Sequence, residues 1–248
     1  MNEYAPNEVH HADLFTLCDS LPDASVDMIL CDLPYAVTQN GWDEIIPFAP
    51  MWSAFQRVIR RGGAIVLTAT NPFSSKLVMS AMHLYRDEWI WHKSTASGFL
   101  NANRYPMRCH EHVLVFCDSA PPYYPQMGKG TPYRALTGSK STNYSKFDQI
   151  ATVSNGERFP RTVIDFDNET GLHPTQKPVA LFRYLIRTYT QPGELVLDPT
   201  AGSGTTALAA REESRQFICG DTSLEYVEVA RKRLAAPFTL PMFTEATP

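Results

Sequence analysis

Glu194-Leu195-Val196-Leu197-Asp198 runs directly into Pro199-Thr200-Ala201-Gly202-Ser203-Gly204-Thr205-Thr206, and this junction decides the fold. The first five residues read as a short buried strand with an acid at its carboxyl end. Ala207 to Glu213 is Ala/Leu-rich and reads as a helix. Between them, glycines let the backbone approach a ligand, and the helix that follows offers its N-terminal N–H groups. Strand, glycine turn and helix form the repeating unit of a doubly wound α/β sheet, in which ligands bind outside the carboxyl ends of the strands.

On the C-terminal side, Arg215 to Cys219 is a second strand, ending at Gly220-Asp221. Asp221 lies 17 residues beyond Gly204, near the position where an acid grips a ribose diol. A nicotinamide dinucleotide competes for this reading, but the glycine count is short of the dinucleotide fingerprint. A nucleoside-triphosphate loop would need a Lys-Ser/Thr pair after the glycines, and none is present. An adenosyl-amino-acid cofactor fits, with its ribose at Asp221 and its amino-acid end near Asp198 and the glycine turn. Glu225 to Leu234 is a final helix. Upstream, His173-Pro174-Thr175-Gln176-Lys177-Pro178 leads into a helix from Val179 to Tyr189, with Leu181, Leu185 and Ile186 on its apolar side.

The N-terminal half repeats the α/β rhythm. Val9 to Phe15 reads as a short strand ending at Asp13-Leu14. Ser25 to Leu30 is a buried strand that delivers Cys31-Asp32-Leu33-Pro34-Tyr35. Residues 36 to 44 read as a loop over that strand end, with Trp42 either a lid anchor or, the favoured reading, a core plug. Phe48 to Ile59 has helical periodicity, and Ala64 to Ala69 is a continuous apolar strand of the parallel-sheet kind. After the turn Asn71-Pro72-Phe73, Ser74 opens a helix with Leu77, Val78, Ala81 and Met82 facing the sheet. Asp87 to His92 and His110 to Phe116 are further strands.

Residues 118 to 162 are rich in Pro, Gly, Ser, Thr, Asn and Tyr, too long for an ordinary loop in a compact domain. The wider region interleaves Arg104, Arg108, Lys129, Arg134, Lys140, Lys146, Arg158 and Arg161 with Tyr105, Tyr123, Tyr124, Tyr133 and Tyr144. That composition suits phosphates and base edges, and equally a tyrosine-rich surface excursion. The expected division is 1–94, an inserted 95–170, 171–236 and a tail at 237–248.

Hydrophobic residues make up 44% of the 248, enough for a substantial core, and the net charge is −4. A nucleic-acid footprint is a local patch, so this sum does not exclude one. The five cysteines are scattered; even Cys109 and Cys117, with His110 and His112 nearby, lack the paired spacing of a structural zinc site. No metal is expected. No signal peptide and no apolar run of membrane-spanning length is seen, so a reducing cytoplasm is the expected compartment.

Taken together, these motifs resemble the S-adenosylmethionine-dependent DNA amino-methyltransferases, the N6-adenine/N4-cytosine family. Asp32-Leu33-Pro34-Tyr35 resembles the catalytic Asp-Pro-Pro-Tyr motif, and Asp198 to Thr206 resembles the cofactor loop. His173 to Pro178 resembles the segment upstream of that loop. Gly220-Asp221 with Tyr226 and Arg231 resembles the ribose-binding stretch, and Asp13-Leu14 a contact to the cofactor adenine. The motif order, catalytic first and cofactor loop last, matches the beta group, a circular permutation of the usual methyltransferase order. The implied fold is a mostly parallel, doubly wound Rossmann-like sheet, with 95–170 as an inserted target-recognition region.

The resemblance implies transfer of a methyl group from S-adenosylmethionine to the N6 amine of a flipped-out adenine in duplex DNA. Asp32 and the Pro34 carbonyl would orient the amine, with Tyr35 stacking on the base. The cofactor would be held by Asp13, Leu14, Asp32, Asp198, Thr200, Ala201, Gly202, Ser203, Gly204, Thr205 and Asp221. Lys177 either approaches the cofactor carboxylate or makes a surface hydrogen bond. An acid at position 32 leans toward adenine in this family, where Ser is common in cytosine-N4 enzymes. The alternatives are N4-cytosine methylation, an RNA or protein amide as acceptor, and a DNA-binding homologue without turnover. Double-stranded DNA, a homodimer and a restriction-endonuclease partner are the associations it suggests. Two letters depart from the pattern: Leu33 stands where the family usually has Pro, and Thr200 where it often has Phe. Cys31, beside the acid, reads as a buried strand cysteine.

Overall fold

The computed structural model describes residues 4–35, 45–137, 150–169, 171 and 176–237. Trp42, Tyr144, Lys140, Lys146 and His173-Pro174-Thr175 lie outside the described residues. The chain forms two compact units, Met1–Tyr124 with Thr162–Pro248, and Pro125–Arg161.

In the first unit the N-terminal half supplies β1 (Glu8–His11), α1 (Leu14–Asp19), β2 (Val26–Asp32), α2 (Phe48–Val58), β3 (Ile59–Ala69), α3 (Phe73–Ser80), β4 (Tyr85–Ser97) and β5 (Arg108–Phe116). In the second unit β6 (Gly128–Lys129) pairs antiparallel with β9 (Glu157–Arg158), and β7 (Tyr133–Thr137) with β8 (Ile150–Ser154). The chain returns through β10 (Val163–Phe166), α4 (Val179–Tyr189), β11 (Leu195–Asp198), α5 (Thr205–Glu212), β12 (Gln216–Asp221) and α6 (Leu224–Ala235).

Eight strands form one sheet in the order β1-β12-β11-β2-β3-β5-β4-β10. All neighbours are parallel except β5, which is antiparallel to both β3 and β4. The C-terminal strands β11 and β12 lie between β1 and β2, so the two ends of the chain build one continuous half-sheet. This is the permuted, doubly wound architecture expected from the motif order.

Period-2 alternation explains the two layers. Met28, Leu30, Val66, Val113 and Val196 face one side, where α4, α5 and α6 bring Leu181, Leu185, Ala207, Ala210 and Val227. Ile29, Cys31, Leu67, Leu114 and Leu197 face the other, against Leu17, Met51, Phe55 and Leu77 from α1, α2 and α3. Burying a strand on both faces demands the near-continuous apolar runs seen in the sequence.

Several expected boundaries shift. β1 stops at His11, because the Asp13 carboxylate accepts the Phe15 and Thr16 amides and caps α1. β3 begins at Ile59 and runs through Gly62-Gly63, where an interruption was expected. α3 ends at Ser80, so Met82 is exposed instead of facing the sheet. β10 was not anticipated: its four residues add an edge strand parallel to β4. The second unit is narrower than the expected insertion, with residues 95–124 and 162–170 belonging to the first. Within that second unit, the Arg158 guanidinium lies 4.7 Å from the Tyr133 ring centroid.

Candidate active site

Because β2, β11, β12 and β1 are parallel, their carboxyl ends share one edge of the sheet. That edge gathers Asp32, Asp198, Asp221 and, just past β1, Asp13. A cavity of about 540 Å³ opens there, lined among others by these four acids with Leu14, Leu33, Pro34, Tyr35, Lys177 and Gly202. Asp221 holds the glycine turn: Oδ2 accepts the Gly202 amide at 2.8 Å, and Oδ1 accepts the Ser223 amide at 2.8 Å. A carboxylate has about four acceptor positions, so two remain for a diol.

Asp198 is buried at the cavity floor. It accepts the Thr200 amide at 3.0 Å and the Thr206 hydroxyl, yet burial pushes its carboxyl up to about 7. Thr200 also reaches the Asp32 carbonyl through Oγ1 at 3.2 Å, tying the ends of β11 and β2 together. This gives the unusual Thr200 a structural task that a Phe could not perform. Leu33 is likewise accounted for: its side chain is buried among the apolar residues packed by α1 and α2.

Asp32 is held from three directions. Oδ1 accepts the hydroxyls of Tyr35 and Thr68, and Oδ2 lies 2.7 Å from the Lys177 ammonium. Among the described residues this leaves one acceptor position of the carboxylate, on Oδ2, for an incoming donor. Burial raises the Tyr35 phenol well above its ordinary value, and Asp32 raises it further, so the hydroxyl stays a donor. The Tyr35 ring packs 5.1 Å from Phe73 between centroids.

Lys177 is only 6% exposed, so it makes neither a surface hydrogen bond nor an isolated contact. Its ammonium lies between Asp32 and Glu111, 3.3 Å from Glu111 Oε2. The other Glu111 oxygen pairs with Lys93. Burial alone would push the Lys177 ammonium down, but the two carboxylates beside it reverse the sign and hold it above the ordinary lysine value. For Glu111 burial acts upward, and the two ammonium groups bring it below its ordinary value. The result is a row of alternating charges, Asp32, Lys177, Glu111 and Lys93, along one cavity wall. Sequence reasoning missed Glu111 and Thr68. Glu111 reaches this edge only because β5 is antiparallel, which puts the start of that strand beside the ends of β3 and β4.

Asp13, Leu14, Thr200, Ala201, Gly202, Ser203 and Thr205 all line the cavity, as does Tyr226. Gly204 does not. It caps α5 with φ of +80°, and a Cβ there would meet Ala230 of α6 at 2.6 Å, so its role is close helix packing. Arg231 donates to the Val9 carbonyl at 2.9 Å and serves the fold. Cys31 is fully buried, and burial raises its thiol well above the ordinary range, which disfavours a thiolate. Among the described residues no His, Cys, Asp and Glu cluster could hold a metal ion.

The donor set fits an adenosyl-amino-acid. Two acceptors remain on Asp221 for a diol, buried Asp198 suits a cationic amino-acid end, and Asp32 faces the same space. A cation at Asp198 binds the ionised carboxylate, so affinity for S-adenosylmethionine should rise about tenfold from pH 6 to pH 8, as the ionised fraction grows through a pKa near 7. Titration calorimetry across that range checks this, and Asp198→Asn should flatten the profile.

Comparison with known proteins shows the family and the fold. A sequence model described as DNA methylase matches residues 26–232. The chain is 28% identical over 242 residues to the DNA adenine methyltransferase YhdJ of Escherichia coli, covering 90% of this chain and 81% of the relative. Its fold is similar to that of a crystal structure titled M1.HpyAVI-SAM complex, with a TM-score of 0.62 and 23% identity over 91% of this chain and 98% of that one. It is similar also to the cytosine-N4-specific PvuII DNA methyltransferase, with a TM-score of 0.66 and 16% identity over 94% and 90% of the two chains.

Proposed function

The chain belongs to the DNA methylase family, as an S-adenosylmethionine-dependent DNA methyltransferase, and we propose that it methylates the N6 amine of adenine in a specific duplex sequence. The observation that carries this reading is the shared cavity: Asp32 and Pro34, at the end of β2, open onto the space bounded by Asp198, Gly202 and Asp221.

An exocyclic adenine amine is a poor nucleophile, because its lone pair is delocalised into the ring. The vacant position on Asp32 Oδ2 accepts one N6–H and the Pro34 carbonyl accepts the other. Those two acceptors turn the nitrogen toward tetrahedral geometry, with the lone pair free of the ring. The gain is orientation plus preorganised electrostatics. S-adenosylmethionine, held by Asp198, the Gly202 turn and Asp221, would supply the electrophilic methyl for this nitrogen. Asp32 Oδ2 takes the proton that the nitrogen gives up. Lys177, Thr68 and Tyr35 keep the carboxylate fixed meanwhile. The Tyr35 ring, beside Phe73, offers the face on which the base stacks once it has left the duplex.

Adenine is favoured over cytosine by the acid at position 32 and by the similarity to an adenine methyltransferase. The motif order supports placement in the beta group. The homodimer and the restriction-endonuclease partner rest on the family resemblance, and the cytoplasmic location with nucleoid association rests on the sequence reading. No helix among the described residues is long and apolar enough to cross a membrane. Digestion of DNA from cells expressing the chain, followed by mass spectrometry of the nucleosides, tests the base. N6-methyladenine is the expected product. N4-methylcytosine without N6-methyladenine would reassign it to cytosine.

A further inference from the structure

We propose that the tip between β4 and β5, carrying Phe99 and Leu100, enters the DNA duplex beside the target base and occupies the space the flipped base leaves. This rests on the DNA-methyltransferase reading above and names the element that opens the substrate.

The tip is apolar where a loop has no folding reason to be. Phe99 is 76% exposed, Leu100 90% and Tyr105 70%, within seven residues of one another. A single exposed apolar residue is ordinary; a cluster on a projecting turn marks an interaction surface. On β4 itself Trp89 and Trp91 are buried, so the strand turns from core to exposed contact as it leaves the sheet.

The tip is also preorganised. Gly98 adopts φ of +91°, and Phe99–Asn101 forms a short 3₁₀ turn. The Asn101 amide donates to the Gly98 carbonyl at 3.0 Å, and the amides of Arg104 and Tyr105 donate to the Asn101 carbonyl at 2.8 and 3.0 Å. Phe99 and Leu100 are thus presented on a fixed turn, which lowers the ordering entropy of inserting them.

Its position and charge select the partner. Ser97 and Arg108, paired across the base of the loop, both line the cavity that holds Asp32. From Ser94 to His110 the sequence has Arg104 and Arg108 and no acid, within a chain of net charge −4. Among the described residues neither Arg104 nor Arg108 forms a salt bridge. Two cations following an apolar tip match a polyanion with a stacked apolar interior: the guanidiniums meet phosphates while the side chains enter between bases. Apolar wedges of this kind unstack base steps, and a base already lacking its partner needs less such help.

The test uses the full chain. The methylated sequence is first mapped by modified-base sequencing with the wild-type protein. Two duplexes are then made, one fully paired and one with an abasic site opposite the target base. Phe99→Ala/Leu100→Ala should lower single-turnover methylation of the paired duplex by about 10- to 100-fold, and of the abasic-opposed duplex by less than about threefold. Met79→Ala, exposed on α3 and away from the cavity, should leave both rates as in wild type. Equal losses on the two duplexes, or a paired-duplex rate within about twofold of wild type, would overturn the wedge. A wild-type protein that methylates no DNA would overturn the functional reading itself, and the wedge with it.

Discussion

Replacement of Asp32 by Ala is expected to reduce methyl transfer by about 1000-fold or more while S-adenosylmethionine affinity stays within several-fold of wild type. Every structural feature around this carboxylate serves its position. Two hydroxyls hold Oδ1, an ammonium holds Oδ2, and the Thr200 hydroxyl fixes the Asp32 carbonyl. The cofactor contacts expected at Asp198, Gly202 and Asp221 come from other strands, which is why binding and turnover should separate. Asp32→Ala also strips Lys177 of one of its two carboxylate partners, so Asp32→Asn serves as the folding control. The amide keeps the shape and one acceptor but loses the charge, and should still cost about 100-fold. Tyr35→Phe removes one hydrogen bond to Oδ1 and keeps the ring, and about a tenfold loss in kcat is expected. Single-turnover methylation of DNA with labelled cofactor measures all three, and full activity of Asp32→Ala would remove Asp32 from the chemistry.

How far the sequence alone could reach is clear from individual residues. Asp32, Asp198 and Asp221 are legible because each ends an apolar run and precedes a proline, glycine or polar turn. Parallel pairing then makes their convergence a matter of topology. Asp13 lines the cavity but caps α1 instead of ending a strand, since a strand ending in Asp-Leu and a helix capped by Asp share the same letters; the Thr16 hydroxyl and amide decide for the cap. Lys177 was legible as a residue near the cofactor loop, but not as the partner of an acid 145 residues away. Glu111 was hidden by its setting: between two histidines on a strand, it looks like one face of an ordinary alternation. Only the reversed direction of β5 brings it to the active edge. Gly204 shows the opposite error, since a glycine beside a ligand and a glycine under a helix look alike in sequence.

The row Asp32, Lys177, Glu111 and Lys93 leads to the second large effect, this time on stability. Lys177→Met fills a similar volume with no charge, and leaves Asp32 and Glu111 facing each other with Lys93 as the remaining cation. Removing one member of a buried charge pair typically costs about 3–5 kcal/mol, because the uncompensated charge stays in low dielectric. Lys177→Met should therefore lower the free energy of unfolding by an amount of that order, read as a lower urea midpoint. The further change Asp32→Asn should recover a large part of it, since Glu111 keeps Lys93 and no unpaired acid remains in the row.

The pH dependence has a definite sign. Glu111 is depressed in the fold, so its contribution is present above its unfolded value, near 4.5, and is lost as pH falls through the folded one. Lys177 is elevated, so its contribution is present below its unfolded value, near 10.5, and is lost as pH rises through the folded one. Wild type should draw stability from this row throughout the window between them. In Lys177→Met the two acids repel, their protonation relieves the strain, and the deficit relative to wild type should shrink as pH falls from 7 toward 4. Urea denaturation at several pH values measures that difference. A deficit independent of pH would assign the loss to packing instead of charge.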